Sequence, residues 1–468
     1  MNTESDTIQI QPGSRQPLDQ TNPILSGSIY RNFFSLVIPS LVGLVAFSSA
    51  SIVDGIFIGN HVGTSALAAI NLIIPFLNFI FGIAFMLSIG GSVSAGKYIG
   101  ENNIPGASSI FSKVMIIGIA LAATVTTLSL IFEDEIFNAL GSTESLKPLM
   151  SDYFRISIGF LVIDLMTIGL YYFARIDGKA NLAAAALLVL SISNMILDYV
   201  FIVQFQWGLT GAALATGLAQ TIACTILFIY FLTPYKKIKF SFFQKNWLEV
   251  FRSCYNGLSE FINEVSISIV AFILNWILIT EYGENGVAAI TIINYLLMMG
   301  VMIIISVSEA GQIFISQNFG ARNFKRIKQY LLLSLFSCLC ISVFCISLLL
   351  GYTQFMINLF LGENSDRAAQ LATSYVTVLW PIFLFNGFTI MISAYFTGMH
   401  KARESSVIAL LRSLILPCGF LAVFYYWIES MLFLWALPIA EGITFVTAVI
   451  LLFKNQPKPD LVPVNSKD

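Results

Sequence analysis

The chain has 468 residues, 57% of them hydrophobic and only 11% charged, with a mean hydropathy of +0.82. Too little polar surface remains to cover a soluble protein of this size. A net charge of −2 gives no basis for nucleic-acid binding.

Residues 1–31 are polar, carry Pro and Gly and lack the apolar core of a signal peptide, so they read as a disordered cytoplasmic tail. Apolar runs of about twenty residues, enough to cross a ~30 Å hydrocarbon core as helix, then recur along the whole chain. Twelve spans are predicted, at roughly 32–58, 66–92, 107–132, 150–175, 181–203, 211–233, 250–280, 286–312, 327–352, 368–396, 403–427 and 430–453. With both termini cytoplasmic, 21 of the 24 Lys and Arg residues fall in the termini, the even-numbered loops or the span ends beside them; Lys147, Arg155 and Arg367 are the others. That asymmetry orients a multi-pass protein of the cell (inner) membrane. The six cysteines, Cys224, Cys254, Cys338, Cys340, Cys345 and Cys418, lie mostly within spans, lack zinc spacing and read as small apolar side chains.

The stretch from Thr233 to Trp247 is the most polar connection after the tail and divides the spans six and six. Residues 63–103 slide onto 283–323 without a gap to give 11 identities in 41 columns, including Gly63/Gly283, Gly91/Gly311 and Gly100/Gly320. YFARIDGKA from Tyr172 is echoed by YFTGMHKA from Tyr395. An even number of spans separates the copies, so the halves point the same way and are related by a pseudo-two-fold axis along the membrane normal. The expected fold is an all-α membrane protein with two pseudo-symmetric six-helix bundles around a central cleft. Residues 32–233 form the first bundle, 234–249 a cytoplasmic linker, 250–453 the second bundle and 454–468 a cytoplasmic tail.

The informative residues are acids within spans: Asp54, Asp164, Asp198, Glu260, Glu264, Glu309 and Glu441. A carboxylate at such depth costs on the order of 3 kcal/mol even on lenient insertion scales. Asn194 and Asp198 are four residues apart on one helical face. Counting at about 1.5 Å per residue puts them level with Asp54 and Thr216 in the outer half of the first bundle, with Asp164 near mid-membrane. Two carboxylates with two neutral oxygens make a candidate cation site, suited to Na+ if Asp54, Asn194, Asp198 and Thr216 converge, or to a proton on one carboxylate. The bland reading is interhelical hydrogen bonding in lipid. In the second bundle Glu260 and Glu264 are one turn apart; they and Asn275, Tyr295, Phe385 and Tyr395 are candidates to line the cleft, the aromatics through stacking and cation–π contact. Glu309 reads as an acid wetted at the cytoplasmic mouth. Almost no cation is expected at mid-membrane, which argues against a lipid-linked oligosaccharide flippase whose cleft would need several.

GSVSAGKY at 91–98 nearly spells a phosphate-binding loop, but Tyr98 replaces the required Ser/Thr and no strand precedes it. His61 and His400 fall in opposite membrane loops, and no nucleophile–base pair or metal motif lies on any span, so an enzyme is not expected.

NMILD at 194–198 followed by WGLTGAALAT at 207–216, and DGIFIG at 54–59 ahead of ALAA at 66–69, resemble signatures of the multidrug and toxic-compound extrusion (MATE) family. GLSEF at 257–261 and Gln312 with NFGA at 318–321 resemble its bacterial branch of staphylococcal-type exporters. Glu309 and Gln312-Ile313 depart from that pattern. The resemblance covers about residues 30–455 and implies a secondary-active antiporter exporting amphipathic, mainly cationic compounds by alternating access. It implies Na+ or H+ as coupling ion at Asp54, Asn194, Asp198 and Thr216, with Asp164 nearby. No other cofactor, no ATP and no second subunit are expected.

Overall fold

The computed structural model describes residues 22–358, 366–427 and 431–455, and among them all regular structure is helical. Eleven single helices are long and apolar enough to cross a membrane. They are α1 (Ile29–His61), α2 (Ser65–Gly100), α3 (Ile104–Ile131), α4 (Lys147–Ile176), α5 (Ala180–Gln204), α6 (Gly208–Leu232), α7 (Leu258–Gly283), α8 (Ala289–Gly320), α9 (Phe324–Gly351), α11 (Ala402–Trp427) and α12 (Leu432–Lys454). A bent pair, Ala369–Leu379 and Ile382–Gly398, meets at 56° and supplies α10. The bend falls at Trp380-Pro381, where proline removes an N–H and its ring blocks the preceding turn. One boundary differs from expectation. The stretch predicted to open span seven at residue 250 is a separate short helix, Leu248–Asn256, ending at Gly257. Its Glu249 pairs with Lys113 at 2.7 Å, which holds this helix at the basic end of the molecule rather than in the span.

The internal repeat is visible in local geometry. Gly63 and Gly283, 220 residues apart, both take positive φ (114° and 62°) at the entries to α2 and α8, where a side chain would be strained. Asn103 and Asn323 cap α3 and α9, accepting from the Gly106 N–H at 2.9 Å and the Arg326 N–H at 3.4 Å. The same offset sets how the halves meet, because α2 packs along α7 and α8. A methyl at Gly100 would strike the carbonyl of Gln317, and one at Gly320 would strike the carbonyl of Lys97. Gln317 is the repeat mate of Lys97, so the contact is symmetric about an axis between α2 and α8. Gly100→Ala is therefore expected to destabilise the protein by about 1–3 kcal/mol through overpacking. Gly159→Ala, on α4 with no atom near the added carbon, should leave the melting temperature unchanged or raise it. Equal behaviour of the two variants in detergent-solubilised protein would contradict the close approach.

More hydrogen bonds tie the halves together, one near the middle of α2 and the others toward the same end. They include Asn78 to Ser268 (3.0 Å), Ser253 to Ser94 (2.9 Å), Asn22 to Gln317 (3.1 Å) and Gln317 to the Ile176 carbonyl (3.2 Å). Lys401 reaches Asn455, and Arg326 reaches the Gly27 carbonyl, so both described ends of the chain lie at this basic end. A separate apolar cluster around Ile73, Phe137, Phe154, Ile202 and Ala212 fills the opposite end of the first half.

Candidate functional site

The first group of polar residues lies beside that second cluster. Asp54 projects from α1, Tyr153 and Asp164 from α4, Asn194 and Asp198 from α5, and Thr216 from α6. α5 is regular through Asp198 and then opens into a π-type turn over Tyr199–Gln204. Such turns insert an extra residue and re-aim the side chains beside them. Asn194 (4% exposed) donates through Nδ2 to Thr216 Oγ1 at 3.4 Å. Asp198 is fully buried, and neither of its carboxylate oxygens has a hydrogen-bond partner; nor does Asp54 Oδ1. Asp54 and Asp198 lie close enough to act electrostatically on each other. The Tyr153 phenol sits within the field of Asp54, Asp164 and Asp198 together. Asp164 lies farther inward, beside Cys224, whose thiol is hydrogen-bonded to Thr167.

Asp198 is thus placed beside Asp54, Asn194, one turn away on the same helix, beside Thr216, and Tyr153 within the field of both acids. Tyr153 carried one sequence signal: it precedes Asp164 by eleven residues, three helical turns, and so shares its face. Two neighbouring carboxylates without protein donors cannot both stay ionised in an apolar surround, since burying an uncompensated charge is strongly destabilising. They must bind a proton or share a cation. The Asn194 carbonyl, the Thr216 hydroxyl and the Tyr153 phenol supply the kind of neutral oxygen a hard cation accepts. Among the described residues no group of three or more His, Cys, Asp or Glu could hold a metal ion, so a transition-metal centre does not fit here.

The second half holds its acids differently. Glu260 on α7 accepts from Gln312 Nε2 at 3.4 Å, is hydrogen-bonded to Asn263 and feels Glu309 and Arg412. Glu264 lies one turn on, within the field of Glu260. Glu441 on α12 is buried and accepts from Asn386 Nδ2 (2.8 Å), Thr389 Oγ1 (3.1 Å) and Arg412 Nε (3.1 Å). Asn275 is exposed on α7 and Tyr295 half-buried on α8. Phe385 packs on Phe445 inside the second half at 5.5 Å. Tyr395, expected at the cleft, is instead 2% exposed and packed in the core beside Phe396.

Glu309 also departs from expectation. It is buried rather than wet, and forms an ion pair with Arg175 of the first half. Tyr172 donates to the same carboxylate at 2.7 Å, and Arg175 donates to Ser40 Oγ at 3.0 Å while lying over the Tyr171 and Tyr172 rings. Arg412, ten residues into α11, is a cation well inside a span and is paired with Glu441. The pair Arg175–Glu309 joins residues 134 apart in sequence, and no periodicity announces it.

A family model for MatE matches residues 39–200 and 261–421. The chain is 26% identical over 431 residues to a protein of Shewanella oneidensis named FAD transporter, covering 89% of this chain and 93% of that one. It is 25% identical over 436 residues to the multidrug export protein MepA of Staphylococcus aureus, covering 91% and 94%. Its backbone is similar to a crystal structure of MATE (TM-score 0.87, 23% identity, 92% of this chain and 96% of that one). It is also similar to an outward-facing multidrug resistance MATE family transporter of the MOP superfamily (TM-score 0.85, 24% identity, 94% and 97%). With more than half its length matched by the family model, this chain belongs to MatE, the multidrug and toxic-compound extrusion family whose signatures its spans carry.

Proposed function

We propose that the protein is a secondary-active exporter of amphipathic, mainly cationic organic compounds, driven by entry of Na+ or H+ at the Asp54–Asp198 site. The observation that carries this reading is the pair itself, a fully buried Asp198 with neither oxygen hydrogen-bonded beside a half-buried Asp54 whose Oδ1 also lacks a protein donor, on helices of one half. A structural hydrogen-bond network would leave no such oxygens. The name of the relative MepA and the fold of the MATE structures support export. In this reading the basic end faces the cytoplasm, as the positive-inside rule requires, and the halves are closed there. Ion binding at Asp54 and Asp198 biases the equilibrium between this arrangement and one open inward. The chain works as a monomer, without ATP or chemistry on its cargo. Inverted vesicles loaded by an imposed gradient test it. Uptake of ethidium should collapse with a protonophore or with a sodium ionophore, one selectively, and gradient-independent uptake would exclude the reading.

A further inference from the structure

The connection between the halves has no part in the ion site, yet its backbone is fixed. Lys237 donates its main-chain N–H to Asp177 at 3.1 Å, and Lys239 and Ser241 donate theirs to Ser108 and Ser112 of α3, each at 3.0 Å. Ile238 is fully buried, and the Phe240 ring packs edge-on against Phe111. The short helix Leu248–Asn256 follows, with Val250, Ser253 and Asn256 turned inward. Its other face carries Leu248, then Phe251, Arg252 and Tyr255 three, four and seven residues on, all exposed. Phe242 and Phe243 ahead of it are 77% and 96% exposed. A contiguous apolar face held outward on a fixed frame marks an interaction surface.

Its level along the molecule says what covers it. Ser253 bonds to Ser94 and Gly257 abuts the Met86 carbonyl, roughly ten residues, or ~15 Å, short of the end of α2 at Gly100. α2 has 36 residues, about 54 Å against a ~30 Å hydrocarbon core, so both of its ends stand clear of the hydrocarbon. The short helix therefore lies where the chain passes from hydrocarbon to headgroups, and α7 begins directly after it at Leu258. An amphipathic, aromatic-rich segment at that level lies in the bilayer interface.

The charges select the headgroup. Residues 234–256 carry Lys236, Lys237, Lys239, Lys245 and Arg252 and a single acid, Glu249. Glu249 is engaged with the buried Lys113 and with Tyr98, so it does not offset the outer cations. Among the described residues none of Lys236, Lys239, Lys245 and Arg252 forms an ion pair; Lys237 lies in the field of Asp177. Membrane orientation needs basic residues in this loop, but it does not need their one acid drawn off to another helix. We infer that residues 234–256 form a docking surface for acidic phospholipids. The aromatics seat in the interface, and the five cations gather anionic headgroups of the leaflet at the basic end.

The test uses the full chain with its native cysteines replaced and a bimane label on Ser241→Cys, one copy per phosphatidylcholine nanodisc. Brominated phosphatidylglycerol or brominated phosphatidylcholine, at the same low fraction, is the quencher. The quenching slope with phosphatidylglycerol should be at least about fivefold the steeper, which is the enrichment given by one lysine near an acidic surface. The preference should shrink in about 0.5 M salt. Replacing all five cations by glutamine should abolish it and leave the melting temperature unchanged, because the linker is held by backbone N–H groups. Equal slopes in the wild-type linker, or a preference retained without the cations, overturn the inference, and so does quenching by neither lipid. Loss of the preference in millimolar inorganic phosphate at constant ionic strength would assign the cations to a free anion and overturn it. A label shielded only in discs holding two copies would assign the face to a second chain and overturn it likewise.

Discussion

Asp54→Asn is expected to lower ion-driven export at least about tenfold while leaving a folded protein. The substitution is isosteric, and Asp54 Oδ1 has no protein partner to lose, so packing and hydrogen bonding survive. What disappears is the charge that a proton or sodium ion would compensate. An ion can shift a conformational equilibrium only by as much as its affinity differs between the two states, and about 1.4 kcal/mol of that difference is tenfold. Asp198→Asn should behave alike, because the two carboxylates act on each other. Asn194→Ala, which removes only a neutral oxygen and its bond to Thr216, should weaken export less. Melting temperatures of Asp54→Asn and Asp198→Asn should equal or exceed wild type, since each relieves repulsion between two unpaired carboxylates, one fully and one partly buried. Full retained export by Asp54→Asn would remove this site from the coupling step.

Glu309→Ala is expected to weaken the joint between the halves by about 3–5 kcal/mol, the usual consequence of leaving a buried cation unpaired. Arg175 is 1% exposed, its Nε already lacks a partner, and without Glu309 only Ser40 and the tyrosine faces remain to it. Because the pair spans the two halves, its loss should shift the population away from this arrangement. Ser94 and Ser253 report on it directly, their hydroxyl oxygens being 2.9 Å apart across the joint. With the native cysteines replaced, Ser94→Cys/Ser253→Cys should cross-link readily, block export and recover on reduction. Adding Glu309→Ala should slow cross-linking at least about tenfold. Arg175→Ala/Glu309→Ala should be less damaging than the sum of the single variants, as coupled charges are. An unaltered cross-linking rate in Glu309→Ala would mean that the pair does not hold the joint.

What the sequence disclosed follows from the physics of a chain in lipid. A span needs a run of apolar residues that nothing else explains, and Asn194 and Asp198, one turn apart inside such a run, announce themselves by their cost. Asp54 and Thr216 join them because depth along a helix can be counted. Tyr153 was hidden, since tyrosine is ordinary in membrane helices and its meaning lies in three acids on other elements. Arg412 falls in sequence near the basic loop before α11, although ten residues of helix separate it from Ala402. Glu309 was misjudged because its partner belongs to the other half, and tertiary pairing over that distance has no local signature. Tyr395 carries no signal of its burial, because which face of a wholly apolar helix turns to its neighbours is decided by packing across elements.

The facing glycines of α2 and α8 have an evolutionary reading. Gly100 meets the backbone of residue 317 while Gly320 meets that of residue 97, so each copy presents the same patch to the other. This is an isologous contact, the kind made by a two-fold homodimer. A six-helix ancestor carrying that one glycine would have faced its own copy, inserted in the same direction, across this surface. Fusing two such genes would have preserved the dimer interface as the joint within one chain. It would also have freed the copies to diverge, one towards paired acids without donors, the other towards an acid clamped by arginine.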